Sequence, residues 1–123
     1  MQTTDIRPWG QFTVLHDGND CKIKKIIVRP SKRLSLQSHE HRKELWLVIK
    51  GRGRAQLDDD ILPIDVSSII VVEQKQKHRL INDSEEDLEI IEIQTGSYFG
   101  EDDIIRYEDD FNRHIAQIGS SSI

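Results

Sequence analysis

The segment LSLQSHEHRKELW, residues 34–46, combines side chains that could bind a metal ion with side chains that belong in a hydrophobic core. Its histidines, glutamine and glutamate alternate with leucines and a tryptophan. In a β-strand, residues two apart share a face, so Gln37, His39 and His41 would point the same way as far as the strand continues. Glu44 opens the next apolar stretch, and a hairpin could return it beside His39. The pattern predicts polar side chains directed into the interior of a small domain.

A third histidine of interest, His78, lies far along the chain at the start of the strand-like sequence KHRLIN. If it faces the same interior, two imidazoles, a carboxylate and an amide oxygen converge from three strands. Such a set suits Zn²⁺, Fe²⁺, Mn²⁺, Co²⁺ or Ni²⁺. Because it contains no thiolate, it favours a site with positions open to water or substrate over a closed structural zinc site. The competing interpretation is that His-x-His on a strand is a pair of solvent-exposed histidines.

The rest of the chain supplies the short strands that must position these side chains. Runs rich in β-branched residues recur at short intervals and end at Gly, Pro, Asp or Asn, which is typical of an all-β sandwich or small barrel. We predict strands at 11–16, 22–29, 33–39, 44–51, 54–57, 61–65, 67–73, 78–83 and 88–96. A helical period appears only in 107–118, which predicts a short C-terminal helix, and residues 117–123 are expected to form a flexible tail.

Length, charge and cysteine content narrow the functional class. The 123 residues suit a single domain, 1–123, with its core over about 7–113. The net charge of −5 argues against sequence-independent binding of nucleic acid, which needs a basic surface. Cys21 is the only cysteine and cannot form an intrachain disulfide. Because no secretory signal and no run of roughly 20 apolar residues is present, we expect a cytoplasmic protein that binds no membrane.

Two stretches resemble the sequence motifs of the cupin family. The first motif is Pro-Gly, five residues, His-x-His, three or four residues, Glu, six residues and Gly. Residues 30–51 fit every gap when Gln37 takes the first histidine position and Ser31 replaces the glycine. The second motif, Pro-x-Gly-x-x-His-x-x-x-Asn, is matched by EQKQKHRLIN, with Glu73 and Lys75 in place of the proline and the glycine. The resemblance implies an all-β cupin, which is a double-stranded β-helix or jelly-roll barrel.

A closer resemblance covers nearly the whole chain. The tracts RPWG, KIKKIIVRP, LSLQSHEHRKELW, KHRLIN and EIIEIQTGSYFGEDDIIRYEDDFNR are similar to the type II mannose-6-phosphate isomerase domain. In many bacteria that domain is the C-terminal part of a bifunctional mannose-1-phosphate guanylyltransferase. No tract resembles the nucleotide-binding half, so we expect no guanylyl transfer. The resemblance implies a metal-dependent isomerase that interconverts mannose 6-phosphate and fructose 6-phosphate for activated-mannose and polysaccharide biosynthesis.

The resemblance also suggests roles for individual residues. Four would bind the divalent ion, for which Zn²⁺ is preferred: Gln37, His39, Glu44 and His78. Isomerisation moves a proton between C1 and C2 of the open-chain sugar, and the sequence does not choose among three candidates for the base: His41, Glu101 and Asp103. The alternative for the two acidic residues is a loop that caps a following helical turn.

The phosphate of a sugar phosphate needs a cation, preferably a guanidinium group. The candidates are Arg42, Arg79, Arg106 and Lys24, of which Arg106 is preferred. The alternatives are a surface ion pair for Arg106 and a solvated strand edge for Lys24.

Two further functions are compatible with the same residues. One is a non-catalytic cupin that binds a sugar or sugar nucleotide beside a separate guanylyltransferase. The other is a ketoisomerase that acts on a nucleotide-linked sugar. Small cupins commonly pair through edge strands and terminal segments, so we also expect a homodimer in which residues 1–10 are an exchanged or packing element.

Overall fold

The computed structural model describes residues 3–111, which form twelve strands and no helix. The strands are β1 (Thr3–Arg7), β2 (Gly10–Asp17), β3 (Cys21–Val28), β4 (Lys32–Arg33), β5 (Leu36–Ser38), β6 (Arg42–Lys50), β7 (Gly53–Leu57), β8 (Asp60–Ile64), β9 (Ile69–Val72), β10 (His78–Asn82), β11 (Leu88–Gly96) and β12 (Ile105–Glu108). Within this part of the chain there is no helix that could cross a membrane.

Two antiparallel sheets pack face to face around one core. The first has the order β1-β2-β3-β11-β6-β9, and the second has the order β12-β5-β10-β7-β8, with β4 also paired to β10. Most neighbours in these sheets are distant in sequence, which is the connectivity of a jelly-roll barrel. The predicted all-β jelly-roll architecture is therefore confirmed.

The inner face of the six-stranded sheet is apolar at one end of the barrel and polar at the other. Strand β11 shows the change within one strand, because its buried residues run from Leu88 and Ile90 to Glu92 and Gln94. The neighbouring strands β3 and β6 also change from apolar to polar residues near this point. Lys24 of β3 lies opposite Glu92, and Glu44 of β6 lies opposite Gln94. The apolar end forms the hydrophobic core, so the polar end is where a site can be built inside the barrel.

Each predicted strand has a counterpart, and the differences lie at interruptions and at the chain ends. The strand predicted at 33–39 is two short strands, β4 and β5, and strands β1 and β12 were not predicted. The helix predicted at 107–118 is wrong at its start, because Tyr107 and Glu108 lie in β12, which pairs with β5. Tertiary pairing overrides the local helical period there. Residues 112–118 of that prediction, and the predicted tail, lie outside the described residues.

Two residues that stand at glycine positions of the cupin motifs have positive φ. Ser31 has φ 63° and Lys75 has φ 66°, both in the left-handed region that glycine adopts without steric cost. Gly51, at the end of the first motif, is retained and has φ 80°. A Cβ atom there would lie 2.3 Å from the carbonyl oxygen of Asp87, so the turn needs glycine for space as well as for conformation.

Candidate metal centre

Three potential metal ligands meet at the polar end of the barrel. His39, Glu44 and His78 each offer one ligand atom, and these atoms all lie within 4.8 Å of one another. The Nε2 atom of His39 is 3.2 Å from Oε2 of Glu44, and the Nε2 atom of His78 is 3.8 Å from Oε1. All three residues are buried. The predicted convergence of these three residues is present, although the prediction that each binds a metal stays a prediction.

The route by which His39 and Glu44 meet differs from the predicted hairpin. His39 follows β5 in the second sheet, whereas Glu44 lies on β6 in the first sheet. The chain crosses from one sheet to the other at residues 39–41, and the crossing places both side chains inside the barrel. His78 begins β10, where it lies opposite Gln37 of β5.

Backbone hydrogen bonds fix the tautomers of both histidines. Nδ1 of His39 lies 2.6 Å from the carbonyl oxygen of Asp103, and Nδ1 of His78 lies 2.8 Å from the carbonyl oxygen of Gln76. A carbonyl oxygen only accepts, so each Nδ1 carries a proton and donates it. In the neutral rings both Nε2 atoms then present lone pairs toward Glu44. This is the orientation that a metal-binding histidine needs.

Arg42 lies within the same cluster. Its Nε atom donates to Oε2 of Glu44 at 3.0 Å, and its Nη2 atom lies 2.9 Å from the same oxygen and 3.1 Å from Nε2 of His39. The guanidinium therefore occupies lone pairs that a metal ion would use. Its Nη1 atom is buried and has no hydrogen-bond partner among the described residues, although the carboxylate of Glu101 is 3.9 Å away.

The electrostatics of the cluster favour a neutral imidazole beside an ionised carboxylate. Burial lowers the pKa of His39 to about 4, so the ring is neutral at physiological pH. Burial alone would raise the pKa of Glu44, but positive charge from His78 and Arg42 outweighs it and holds that pKa well below its usual range. Of these two groups, Arg42 is charged at every relevant pH. Trp46 also stabilises the carboxylate by donating from Nε1 to Oε1 at 3.0 Å.

These observations show that the donor set fits a divalent ion in residue type, tautomer and spacing. Two imidazole nitrogens and a carboxylate are three ligands of the kind found in catalytic zinc sites, which keep a further position open. Within residues 3–111, the predicted fourth ligand, Gln37, has no side-chain hydrogen bond to His39, Glu44 or His78. Its amide nitrogen donates to Oγ of Ser35 at 2.9 Å, and its side chain forms part of the wall of an adjoining cavity.

That cavity has a volume of about 60 Å³ and reaches the cluster at Arg42. Its lining combines cations, carboxylates and apolar side chains: Arg7, Trp9, Phe12, Lys24, Ile26, Leu34, Gln37, Arg42, Glu92, Glu101, Ile104 and Arg106. Nζ of Lys24 donates to Oε2 of Glu101 at 2.9 Å. Burial acts to raise the pKa of Glu101, but this ammonium group outweighs burial and lowers the pKa. The predicted residues Lys24, Glu101 and Arg106 are thus brought together on one cavity wall.

Glu92 is a residue of the site that the sequence reasoning missed. It is buried beside Glu44, and Nε2 of Gln94 donates to its Oε1 at 2.6 Å. Burial, followed by the charge of Glu44, raises the pKa of Glu92 to about 8, so it holds a proton at neutral pH. The sequence contained a signal for this residue. In LEIIEIQTG, Glu92 is separated from the core residues Leu88 and Ile90 by an even number of positions, so it faces the same side of the strand as they do.

Of the predicted catalytic and substrate-binding residues, three lie outside the cavity. The ring of His41 faces Tyr98 with centroids 6.4 Å apart in a surface depression, because β5 ends before residue 41. The carboxylate of Asp103 accepts from the backbone amides of residues 40 and 41, at 3.1 and 3.0 Å, so it holds the crossing segment. Arg79 is buried and donates to the carbonyl oxygen of Leu34 and to both the carboxylate and the carbonyl oxygen of Glu108.

A second cluster of potential ligands lies on the surface. His16, Asp20 and Cys21 are at the hairpin between β2 and β3, with their ligand atoms within 4.8 Å of one another. His16 and Asp20 are exposed, and Cys21 is half-buried. None of the three lines the cavity beside Arg42. Any measurement of metal binding must separate this cluster from the buried one.

Comparison with known proteins places these features in a family. Residues 1–109 match the family described as "Mannose-6-phosphate isomerase C-terminal". The chain is 42% identical over 107 residues to the alginate biosynthesis protein AlgA of Pseudomonas aeruginosa, covering 87% of this chain and 22% of AlgA. It is 40% identical over 110 residues to a mannose-1-phosphate guanylyltransferase of Sinorhizobium fredii, covering 89% of this chain and 22% of that protein. The chain thus spans about a fifth of the length of these relatives.

Solved structures agree on the fold. An uncharacterised protein from Klebsiella pneumoniae with a double-stranded β-helix domain superposes with a TM-score of 0.70 at 17% identity, covering 79% of this chain and 83% of that chain. At this identity the likeness concerns the fold alone, and it confirms the predicted double-stranded β-helix of a cupin.

Proposed function

The chain belongs to the family of mannose-6-phosphate isomerase C-terminal domains, and on this premise we propose that it is a metal-dependent isomerase that interconverts mannose 6-phosphate and fructose 6-phosphate in the cytoplasm. In the direction that forms mannose 6-phosphate, the product would enter activated-mannose and polysaccharide biosynthesis. One observation carries the proposal: the buried His39, Glu44 and His78 cluster adjoins, through Arg42, a cavity lined by both cations and carboxylates. A metal-dependent isomerisation of a sugar phosphate would use both features in one site.

The imidazoles of His39 and His78 and the carboxylate of Glu44 would hold the ion, with Zn²⁺ preferred and Mn²⁺, Co²⁺, Ni²⁺ or Fe²⁺ compatible. When bound, a divalent ion supplies Lewis-acid stabilisation of negative charge on the sugar oxygens O1 and O2. Gln37 would serve as a fourth ligand through its amide oxygen, since its bond to Ser35 uses the amide nitrogen. Asp103 and Gln76 keep the two rings oriented through their carbonyl oxygens.

Glu101 is the base that the geometry supports best among the three candidates. It lines the cavity, and Lys24 keeps its carboxylate ionised and positioned at 2.9 Å. The carboxylate would remove the proton from C2 of open-chain mannose 6-phosphate and return it to C1, while a second proton passes from O2 to O1. His41 and Asp103 have weaker support, because the former faces Tyr98 and the latter already accepts two backbone amides.

Arg106 remains our preferred contact for the substrate phosphate. It lies on the cavity wall with Arg7, and the guanidinium geometry of either residue suits a phosphate. Lys24 is engaged by Glu101, so it would act on the phosphate only indirectly. Arg42 and Arg79 are less suited, because the first is bound to Glu44 and the second lies outside the cavity.

The test is an isomerase assay on the purified protein after chelation and reloading with each divalent metal. Fructose 6-phosphate formation should require metal, and it should fall by at least about 100-fold in Glu101→Gln, which keeps the size of the side chain and removes the base. Cys21→Ser, at the exposed cluster, is the matched control and should keep the activity. Absence of turnover with every metal would contradict the proposal.

A non-catalytic function has one observation in its favour. The guanidinium of Arg42 already neutralises Glu44 and contacts His39, so the cluster does not need an ion for charge balance. The protein would then bind a sugar or sugar nucleotide beside a separate guanylyltransferase, and calorimetry would detect binding of mannose 6-phosphate or GDP-mannose without turnover. A ketoisomerase acting on a nucleotide-linked sugar would instead turn over only the nucleotide-linked substrate.

A further inference from the structure

The imidazole of His39, which is neutral at physiological pH, has one ring proton and lies between two groups that can accept it. The carbonyl oxygen of Asp103 lies 2.6 Å from Nδ1, and Oε2 of the Glu44 carboxylate lies 3.2 Å from Nε2. The two acceptors compete for the same proton. Only the tautomer with the proton on Nδ1 leaves Nε2 with the lone pair that a metal ion needs.

The contact with Asp103 favours the tautomer that can bind a metal ion. A carboxylate is the stronger acceptor of the two groups, because its charge strengthens the hydrogen bond. Nη2 of Arg42, which is 3.1 Å from Nε2, also favours a proton on Nδ1. An ion at His39 and Glu44 would displace this guanidinium, so the Asp103 carbonyl is the contact that remains to orient the ring. The position of that carbonyl therefore matters for metal affinity.

The side chain of Asp103 holds its own carbonyl group beside the ring. Its Oδ1 accepts from the backbone amide of Glu40 at 3.1 Å, and its Oδ2 accepts from the backbone amide of His41 at 3.0 Å. Both oxygens are used, so an asparagine, which has one acceptor oxygen, could not make both bonds. Two residues further on, Ile105 pairs with the last residue of β5, directly before His39. Asp103 and Ile105 thus contact the chain on both sides of His39.

Other backbone bonds hold the path of residues 39–41 without contacting the His39 ring. The carbonyl oxygen of His39 accepts from the backbone amide of Lys75 at 2.7 Å, and that of His41 accepts from the amide of Ser97 at 3.0 Å. The chain should therefore keep its crossing between the two sheets when the Asp103 carboxylate is altered. The effect of such a change is expected at the ring.

We propose that Asp103 is a positioning residue that prepares His39 for metal binding. Its carboxylate binds the amides of Glu40 and His41, and its carbonyl oxygen takes the Nδ1 proton in competition with Glu44, which leaves Nε2 free for the ion. The Asp103 side chain does this from outside the cavity. This role deepens the proposed function and rests on its metal centre, and it differs from the role of a base that the sequence suggested for Asp103.

Heteronuclear NMR of the histidine rings, in metal-free protein at neutral pH, observes the proton directly. In the wild-type protein His39 should carry it on Nδ1, with the downfield shift and slow exchange of a short hydrogen bond. In Asp103→Asn this signal should lose its downfield shift and exchange faster, or reappear on Nε2. His78 is the internal reference, because its Nδ1 lies beside the carbonyl oxygen of Gln76 and its signal should not change. A side chain that served only the backbone of residues 39–41 would leave the ring proton unaltered.

Competition with a chromophoric chelator measures the Zn²⁺ dissociation constant, in proteins that all carry Cys21→Ser so that the exposed cluster does not contribute. The constant should rise about 10- to 100-fold in Asp103→Asn, as is typical when a ligand histidine loses its hydrogen-bond partner. Asp102→Asn is the matched control, because it removes the same charge from the adjacent residue, whose carboxylate accepts from the hydroxyl of Tyr98. It should leave the constant unchanged. Circular dichroism should show the same strand content in each protein.

Turnover separates the role of a positioning residue from that of a base. Excess Zn²⁺ should restore isomerase activity in Asp103→Asn, because the variant loses only affinity for the ion. It should not restore activity in Glu101→Gln. The NMR signal and the Zn²⁺ constant do not depend on turnover, so a protein that binds Zn²⁺ without isomerising the sugar would contradict the proposed function alone.

Three results would overturn the role of Asp103. A wild-type His39 with its proton on Nε2, which can be observed without any substitution, would show that the Glu44 carboxylate wins the competition. An unaltered Nδ1 signal in Asp103→Asn would show that the side chain does not act through the ring. A Zn²⁺ constant that rises equally in Asp102→Asn would assign the effect to loss of charge.

Discussion

The buried cluster makes a quantitative prediction about metal-linked stability, which the variant His78→Asn tests. Asparagine places an amide near the position of Nδ1, so it can still donate to the carbonyl oxygen of Gln76, which His78 contacts at 2.8 Å. It removes Nε2, the atom that faces Glu44. The substitution therefore deletes one metal ligand and keeps the local backbone hydrogen bond.

The expected magnitude follows from mass action. An ion present at 100 times its dissociation constant stabilises the folded wild-type protein by about 2.7 kcal/mol, or about 10 °C in Tm for a chain of this size. If loss of one ligand weakens binding about 100-fold, the same ion concentration equals the new dissociation constant, and the stabilisation falls to about 0.4 kcal/mol. The metal-dependent shift in Tm should therefore almost disappear in His78→Asn.

The assay is thermal or urea unfolding of each protein with chelator and with added Zn²⁺. Comparing each variant with itself removes any loss of intrinsic stability caused by the substitution. Cys21→Ser is the control, because it alters the exposed cluster of His16, Asp20 and Cys21 and should leave the shift intact. A full shift in His78→Asn, or its loss in Cys21→Ser, would refute the assignment of the ion to the buried cluster.

Three other predictions concern stability. Ser31→Gly and Lys75→Gly should each raise the free energy of unfolding by about 0.5–1 kcal/mol in urea titrations, because both residues have positive φ; a loss of stability would contradict this. Glu92→Gln should be more stable than the wild-type protein at pH 8 but not at pH 5, in the presence of chelator. The folded protein holds a proton on Glu92 up to about pH 8, whereas the unfolded chain loses it near pH 4.5, so wild-type stability falls as pH rises through this window, by roughly 5 kcal/mol at most. A difference independent of pH would exclude this explanation. Arg79→Met should cost about 2–4 kcal/mol in urea unfolding, because the carbonyl oxygens of Leu34 and Glu108 lose their donor, and a cost below 1 kcal/mol would be inconsistent with the buried contacts.

Most of the barrel could be predicted because strand signals are local. Alternation and turn residues were sufficient to locate nine strands, each of which has a counterpart in the structure. Motif spacing placed Gln37 at the first histidine position of the cupin motif, and the structure adds that Gln37 pairs with His78. Strand β12 was missed because IIRYE has no turn signal after it and merges with a helical period. Its strand conformation comes from pairing with β5, a contact between residues about 70 positions apart that no local pattern encodes.

The roles of individual polar residues were harder to predict, because a sequence gives parity along a strand but not the point at which the strand ends. His41 has the parity of His39, yet β5 stops at Ser38 and the ring faces Tyr98. Asp103 was one of three candidates for the base. In the structure its carbonyl oxygen accepts from His39 and its carboxylate accepts from the backbone amides of residues 40 and 41, so it holds this segment in place. Both outcomes depend on the crossing between sheets, which is a tertiary feature.

Arg42 shows most clearly why the sequence could not assign roles within the site. Arg42 was one of four candidates for the phosphate contact, with Arg106 preferred, and in the structure its guanidinium donates to Glu44 and contacts Nε2 of His39. A buried carboxylate without a positive partner would be strongly destabilising, so this ion pair allows Glu44 to remain ionised inside the barrel whether or not an ion is bound. An ion that binds to Glu44 and His39 must therefore displace a guanidinium that already satisfies the same lone pairs. The affinity of this centre for metal therefore depends on where the Arg42 guanidinium moves as well as on the ligands. Its buried Nη1 atom lies 3.9 Å from the carboxylate of Glu101, so we expect the guanidinium to move toward the cavity.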